Sequence, residues 1–203
     1  MVAQPARSGR PSGDRAATMR RRLLDATVAV LDEKGYSGTT TLEVQRRAGV
    51  SRGALLHHFA SRTELMLAAV DHLAQLRLDE ILRLVRTQAP ATGRIEWAVR
   101  VLWAQHEGPL FGASVAMWLA ARADKELLDA LLPQERVIGH SIRGVAAELF
   151  GPEVSGAEGF ADALDIVLDA MRGAAARGVL RTPGSDERLL GLWARLIADR
   201  VGQ

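Results

Sequence analysis

The sequence predicts an all-α fold of about nine helices, and three observations carry that expectation. Alternating β-branched or aromatic runs, the mark of strands, are absent from the 203 residues. Apolar residues recur instead at spacings of three and four, as in Ile95, Ala98, Val99 and Leu102. Turn-forming pairs then punctuate the chain at helix-length intervals: Gly108-Pro109, Gly151-Pro152, Ser155-Gly156 and Pro183-Gly184.

Residues 1–17 carry Pro5, Ser8, Gly9, Pro11, Ser12 and Gly13 among arginines, too little apolar surface to fold, and are expected to be a disordered basic tail. From Thr18 the apolar spacing of Leu23, Leu24, Thr27, Val28 and Leu31 predicts a helix that ends near Gly35, a left-handed C-terminal residue. Thr40 with Glu43 three residues on reads as a capping box opening a short helix to about Arg47. Ala48-Gly49-Val50 interrupts, Ser51 caps a second short helix to His57 or His58, and Ser61 with Glu64 caps a long one reaching about Gln88. Pro90 and Gly93 end it. Further helices are expected at about 94–106, 110–123, 125–150, 160–178 and 186–200, with Pro133 kinking or dividing the 125–150 segment.

The chain has no cysteine, which excludes disulfides, thiolate metal sites and a cysteine nucleophile. Hydrophobic residues at 48% and charged residues at 25% are ordinary for a soluble globular protein. No apolar run approaches the ~18–20 residues of a membrane span, and residues 1–18 lack the apolar core of a secretory signal, so a cytoplasmic location with no membrane partner is expected. The net charge of +2 hides a polarity: residues 1–62 carry +6 and residues 63–203 carry −4. A basic first third is the footprint expected of a surface that meets a polyanion.

The stretch 40–62 explains that polarity. Two short helices joined by Ala48-Gly49-Val50 form a helix-turn-helix, with Gly49 where the turn needs a positive φ. Val44, Val50, Leu55 and Phe59 supply the small core that fixes the angle between them. The second helix begins Ser51-Arg52-Gly53-Ala54, a long cation between small groups, which can enter a DNA major groove ~12 Å wide. Arg52 can bond a guanine edge bidentately and Ala54 can touch a thymine methyl. Thr40, Ser51 and Arg62 are candidates for phosphate contacts. Arg20-Arg21-Arg22 could lie along the backbone beside them, and Gly9-Arg10-Pro11 has the look of a short minor-groove arm. His57 and His58 are adjacent and ~100° apart on the helix, which argues against one shared metal ion, and no metal ligand set is expected.

The run from Thr40-Thr41-Leu42-Glu43 through Ala48-Gly49-Val50-Ser51-Arg52-Gly53 to His57-His58-Phe59 resembles the DNA-binding signature of the tetracycline-repressor (TetR) family of bacterial transcriptional regulators. The likeness covers about 20–73, including the Gly35-Tyr36 exit of the first helix. It implies a homodimer that reads two half-sites of a palindromic double-stranded DNA operator, and a C-terminal core that binds a small-molecule effector and releases the DNA. The division implied is a tail at 1–17, a helix-turn-helix domain at 18–62, and an effector-binding and dimerisation domain at 63–203. The family's DNA contacts carry over onto Thr40, Ser51, Arg52, Gly53, Ala54, His57 and Arg62, with His58 beside them. Leu56 and His58 stand where the family most often has tyrosines, and Gln45 where a small residue is usual.

Beyond residue 73 the residues alone leave core and pocket open as readings. The helices near 94–106 and 110–123 carry stripes rich in Trp, Met and Phe with sparse polar atoms, which suit either. The resemblance favours a pocket, for which Trp97, Trp103, His106, Ser114, Met117, Trp118 and Phe150 are the candidates and a hydrophobic or aromatic effector is expected. The last two helices offer Leu164, Leu168, Met171 and Ala175, then Leu189, Trp193 and Leu196. Those faces could pack on their own subunit or form an isologous four-helix interface, and the resemblance favours the interface. No phosphate-binding glycine loop, metalloprotease motif or serine-elbow motif is present and no cofactor is expected, so the chain reads as a ligand-responsive repressor rather than an enzyme. The rival is an architectural DNA-binding protein with a solid C-terminal core.

Overall fold

The computed structural model describes residues 12–178 and 185–202. Its ten helices are α1 (Ser12–Gly38), α2 (Thr41–Ala48), α3 (Arg52–His58), α4 (Arg62–Gln88), α5 (Arg94–Ala104), α6 (Pro109–Ala121), α7 (Lys125–Phe150), α8 (Pro152–Ser155), α9 (Phe160–Ala176) and α10 (Ser185–Val201). No strand occurs among the described residues, and no helix there is long and apolar enough to cross a membrane.

Three boundaries differ from expectation. α1 opens at Ser12, so residues 12–17 are helical rather than tail; Ala16 and Ala17, the best helix-forming type, extend the segment that follows. The rest of the basic tail, including Gly9-Arg10-Pro11, lies outside the described residues. Pro133 neither divides nor interrupts α7, which runs from Lys125 to Phe150 around it. There, Leu127 and Leu131 before the proline and Ile138 and Val145 after it are all buried. Packing on both sides outweighs the one hydrogen bond a proline removes. The single turn α8 was not expected.

The local chemistry of the first four helices follows their caps. Gly35 breaks α1 (φ 65, ψ −177), and the buried Thr39 hydroxyl donates to the Gly35 carbonyl at 2.7 Å. Thr40 accepts from the Glu43 N–H at 3.2 Å, but the reciprocal half of the box is missing. The Glu43 carboxylate turns to Lys34 at 2.8 Å instead, and the Thr40 N–H donates to Gly38. Gly49, left-handed at φ 63 and ψ 43, ends α2, with its own N–H on Arg46 and the Val50 N–H on Gln45, a Schellman arrangement. Ser51 accepts from Ala54 N–H at 3.2 Å, and Ser61 from Glu64 N–H at 3.0 Å. Glu64 completes its box one residue further out, accepting from Ala60 N–H at 2.8 Å.

Two apolar cores result. The first joins Leu23, Leu24, Val28 and Leu31 of α1 to Val44 and Ala48 of α2, Leu55 and Phe59, and the first half of α4. It also takes in Ala113, Met117 and Ala121 of α6 and Leu127 and Leu131 of α7. The second gathers the rest of α4 and α7 with α5, α8, α9 and α10. Helices α4 and α7 pass through both. Leu164, Leu168, Met171 and Trp193, expected at a self-association interface, belong to the second core at 0–7% exposure, and Ala175, Leu189 and Leu196 pack against it. The strong apolar stripes of α9 and α10 are therefore satisfied within the chain. The outward faces of these helices instead expose Ile166 (50%) and Leu192 (43%).

Arginines close three helix ends whose carbonyls would otherwise lack partners. Arg22 Nη2 donates to the Ala48 carbonyl of α2 at 2.5 Å. Arg94 donates to Leu149 and Glu148 at the end of α7, both at 2.8 Å. Arg62 donates from Nε to Thr39 at 2.6 Å and from Nη2 to Tyr36, with its guanidinium 4.3 Å above the Tyr36 ring. That clamp ties the start of α4 to the exit of α1. Arg62→Ala is expected to lower unfolding free energy by about 2 kcal/mol in urea titration, and Arg62→Lys to recover less than half of it, since an ammonium cannot span two carbonyls while stacking on a ring.

Candidate nucleic-acid interface and ligand cavity

The caps at Thr40 and Ser51 set α2 and α3 at a fixed angle and leave one polar surface outward. Thr40, Ser51, Arg52 and Gly53 are exposed along it, and Ala54 is half-buried. Thr40 and Ser51 use their oxygens as acceptors for the helix N–H groups, so each hydroxyl hydrogen is still free to donate to a phosphate. Arg52 is exposed and makes no hydrogen bond or ion pair among the described residues. A turn later His57 is exposed, and the half-buried His58 meets it edge-on at 5.4 Å and leans on Phe59 at 6.4 Å.

Several cations that the sequence offers to this surface are committed inward. Arg62 is the clamp described above, so its guanidinium does not serve as the expected phosphate ligand in this conformation. Arg22 caps α2, and Arg20 lies 5.2 Å over the Phe59 ring. Arg47 forms a bidentate pair with Glu33 at 2.5 and 2.6 Å, and its hydrogen bonds hold the Glu33 carboxyl below its ordinary value. Leu42 and Leu56, 58% and 48% exposed, complete the outward surface as apolar groups. Leu56 is one of the positions where the sequence departs from the family's tyrosines, and a reading by charge passes over Leu42.

The second site is a cavity of about 160 Å³ at the seam between the two cores. One wall is α6, through Leu110, Phe111, Ser114 and Trp118. Another is α4, through Val70, Ala74, Arg77, Leu78 and Ile81. Glu135, Ile138, Gly139, Ile142 and Val145 of α7 face them, with Leu102, Gln105 and His106 at the end of α5 and Leu168 and Arg172 of α9 closing the rest. The expected pocket between α5 and α6 is thus displaced towards α4 and α7.

His106, Ser114 and Trp118 are brought together there as expected; the other four candidates are not. Trp97 packs against the second core from outside, and Phe150 lies in that core edge-on to Phe160 at 5.3 Å. Trp103 sits behind the wall, stacked with His106 at 6.0 Å and tilted against Trp193 at 5.3 Å. Met117 is wholly buried on the opposite side of α6, in the first core. An apolar stripe in a sequence marks a face to be buried, and each of these four residues found protein rather than open space.

The polar groups of the wall are few and specific. His106 Nδ1 lies 3.0 Å from the Leu102 carbonyl, so the hydrogen sits on Nδ1 and Nε2 remains an acceptor. Burial pushes the imidazole below its ordinary value and nearby Arg172 adds to this, against the opposing hydrogen bond to Leu102. Gln105 donates from Nε2 to Val101 at 3.2 Å, while its Oε1 is buried without a partner. Arg77 pairs with Glu80 at 3.3 Å and Arg172 with Asp169 at 2.7 Å. Glu135, half-buried, makes no ion pair among the described residues. Gln105 beside His106 at the end of an apolar helix was the available sequence signal for this polar corner.

Comparison with known proteins agrees with the geometry. Residues 23–69 match the family model of bacterial regulatory proteins, tetR family. The HTH-type transcriptional regulator Rv2912c of Mycobacterium tuberculosis is 27% identical, with 87% of this chain and 91% of that protein aligned. The HTH-type transcriptional repressor AcnR of Corynebacterium efficiens is 26% identical over 79% of this chain and 96% of its own length. Among solved structures, the multidrug binding protein EbrR complexed with imidazole superposes with a TM-score of 0.59 at 24% identity, covering 87% of this chain and 93% of that one. A helix-turn-helix fixed by two side-chain caps, matched at residues 23–69 by the tetR family model and joined to a helical core of similar architecture, makes this chain similar to the transcriptional regulators of that family.

Proposed function

We propose that the protein is a homodimeric repressor that reads a palindromic operator and is released from it when a small effector fills the seam cavity. The observation that carries this reading is the double role of α6. Its Phe111, Ser114 and Trp118 line the cavity, while its Ala113, Met117 and Ala121 are buried in the core of the helix-turn-helix domain. Pressure on one face of this helix therefore meets the other domain's core with no intervening element. α4 offers a second route, since Val70 and Ala74 line the cavity a few turns from the Arg62 clamp.

In the bound state Arg52 is the residue that reads bases, with Thr40 and Ser51 holding phosphates and Gly53 and Ala54 letting the helix approach. His57 adds a donor a turn later, and His58 supports it from the side. The effector must favour a conformation in which the two recognition helices no longer match major grooves ~34–36 Å apart. EbrR, a multidrug binding protein of the same fold, supports the cavity as a place for small molecules. AcnR, a transcriptional repressor, supports repression as the output.

The dimer interface proposed is the outward face of α9 and α10, not the inward stripes. Ile166, Ala170 and Gly173 are exposed on α9, and Leu192 on α10. Asp162 of α9 and Arg188 and Arg195 of α10 are exposed beside them, opposite charges that a two-fold axis can bring face to face.

Selection of genomic fragments with the purified protein at two salt concentrations tests the whole reading. Enrichment of a palindrome is expected; salt-sensitive binding without any enriched motif would mean an architectural protein instead. Arg52→Ala should weaken binding to the recovered site by about 1–3 kcal/mol and relax the sequence preference, measured by competition titration. Ile166→Asp combined with Leu192→Asp should convert a dimer to a monomer in light scattering; a dimer that survives both would place the interface elsewhere.

A further inference from the structure

The seam cavity has a chemistry of its own, and its buried polar corner offers acceptors. Two of its charged groups already hold partners: Arg77 has Glu80 and Arg172 has Asp169. The Oε1 of Gln105 is buried without a partner among the described residues, and the half-buried Glu135 carboxylate also faces the cavity, across from the Ser114 hydroxyl and the Trp118 indole. His106 adds a third acceptor, because its Nδ1 hydrogen is committed to Leu102 and Nε2 keeps a lone pair. Nor can Gln105 turn its amide around to offer a donor, since Nε2 is held by the Val101 carbonyl and a flip would set two oxygens against each other.

Shape narrows the ligand further. About 160 Å³ is the size of a cavity that holds one benzene ring, for which ~150 Å³ suffices. The walls present flat groups to such a ring: His106 and Phe111 lie 5.4 Å apart, and Phe111 meets Trp118 edge-on at 6.3 Å.

We infer that the effector is a single-ring aromatic molecule, uncharged or cationic rather than anionic, that carries a hydrogen-bond donor directed at Gln105 Oε1 and His106 Nε2. Phenols and aryl amines have this chemistry. The inference rests on the reading of the cavity as an effector site and adds the class of molecule. A ring without a donor would fill the same space and leave the buried oxygen of Gln105 unpaired, the more costly outcome in a low-dielectric site. A ring carboxylate would have no hydrogen to give Gln105 or His106, and the cations of the wall, Arg77 and Arg172, already hold carboxylates of their own.

Calorimetric titration of the full chain with p-cresol, toluene and benzoate tests this. These three share one ring and differ in the polar group. p-Cresol should bind at least about tenfold more tightly than toluene, and benzoate more weakly than either. Gln105→Met, which keeps the side-chain length and removes the oxygen, should abolish the difference between p-cresol and toluene, with p-cresol losing affinity and toluene not. Circular dichroism and thermal unfolding report folding of the variant, and the parent protein alone decides the matter if the variant does not fold. Toluene binding as tightly as p-cresol, benzoate binding most tightly, or no binding by any of the three overturns the inference. Release of a selected DNA fragment, followed with the same compounds, separates the two levels. Preference for p-cresol without release keeps the ligand class and removes the effector role; release by toluene as readily as by p-cresol keeps the effector role and overturns the ligand class.

Discussion

α6 packs along α1, and at Gly112 it comes near enough to Asp32 that an added methyl group would push the tip of that exposed carboxylate aside. This close approach brings the apolar side of α6, Ala113, Met117 and Ala121, into the core under the helix-turn-helix. The same rotation turns Phe111, Ser114 and Trp118 the other way, where α4 and α7 stand across from them. The place of the cavity between the two cores and its contact with the helix-turn-helix core follow from α6 serving both sides at once.

What the sequence disclosed depends on how local each cause is. Caps act over three residues, so Thr40, Ser51 and Ser61 marked the starts of α2, α3 and α4 correctly, and Gly49 marked the turn. Stripes gave the faces to be buried but not their neighbours. Leu164, Leu168 and Met171 could cover their own core or a second chain, and only the arrangement of α5, α7 and α10 decides that they cover their own. The cavity was legible at His106, Ser114 and Trp118, where polar atoms interrupt aromatic stripes. It was not legible at Val70, Ala74, Ile138 or Ile142, ordinary core residues whose partner happens to be a space.

Charge shows the same limit in another form. Residues 1–62 hold eleven basic side chains, which suggested a broad polyanion-binding face. In the fold, Arg22 and Arg62 close helix ends, Arg47 is held by Glu33 and Lys34 by Glu43. The first two make bonds to carbonyls that any helix end must satisfy, so they stabilise the frame and leave recognition to fewer residues. Net charge measures what attracts DNA at a distance; the base reading proposed above falls to Arg52, exposed at the first turn of α3.

Gly139 lies in the cavity wall in the middle of α7, where alanine would favour the helix by about 1 kcal/mol. Nothing in the packing forbids that alanine: its added carbon would meet only Arg143, at an ordinary 3.6 Å. The glycine thus leaves α7 less rigid than its surroundings would permit and keeps the chamber wider by the volume of one methyl group. α7 also contributes to the core beneath the recognition helices through Leu127 and Leu131. A variant selected only for thermal endurance would gain a stiffer α7 from alanine at this position, and a narrower chamber with it.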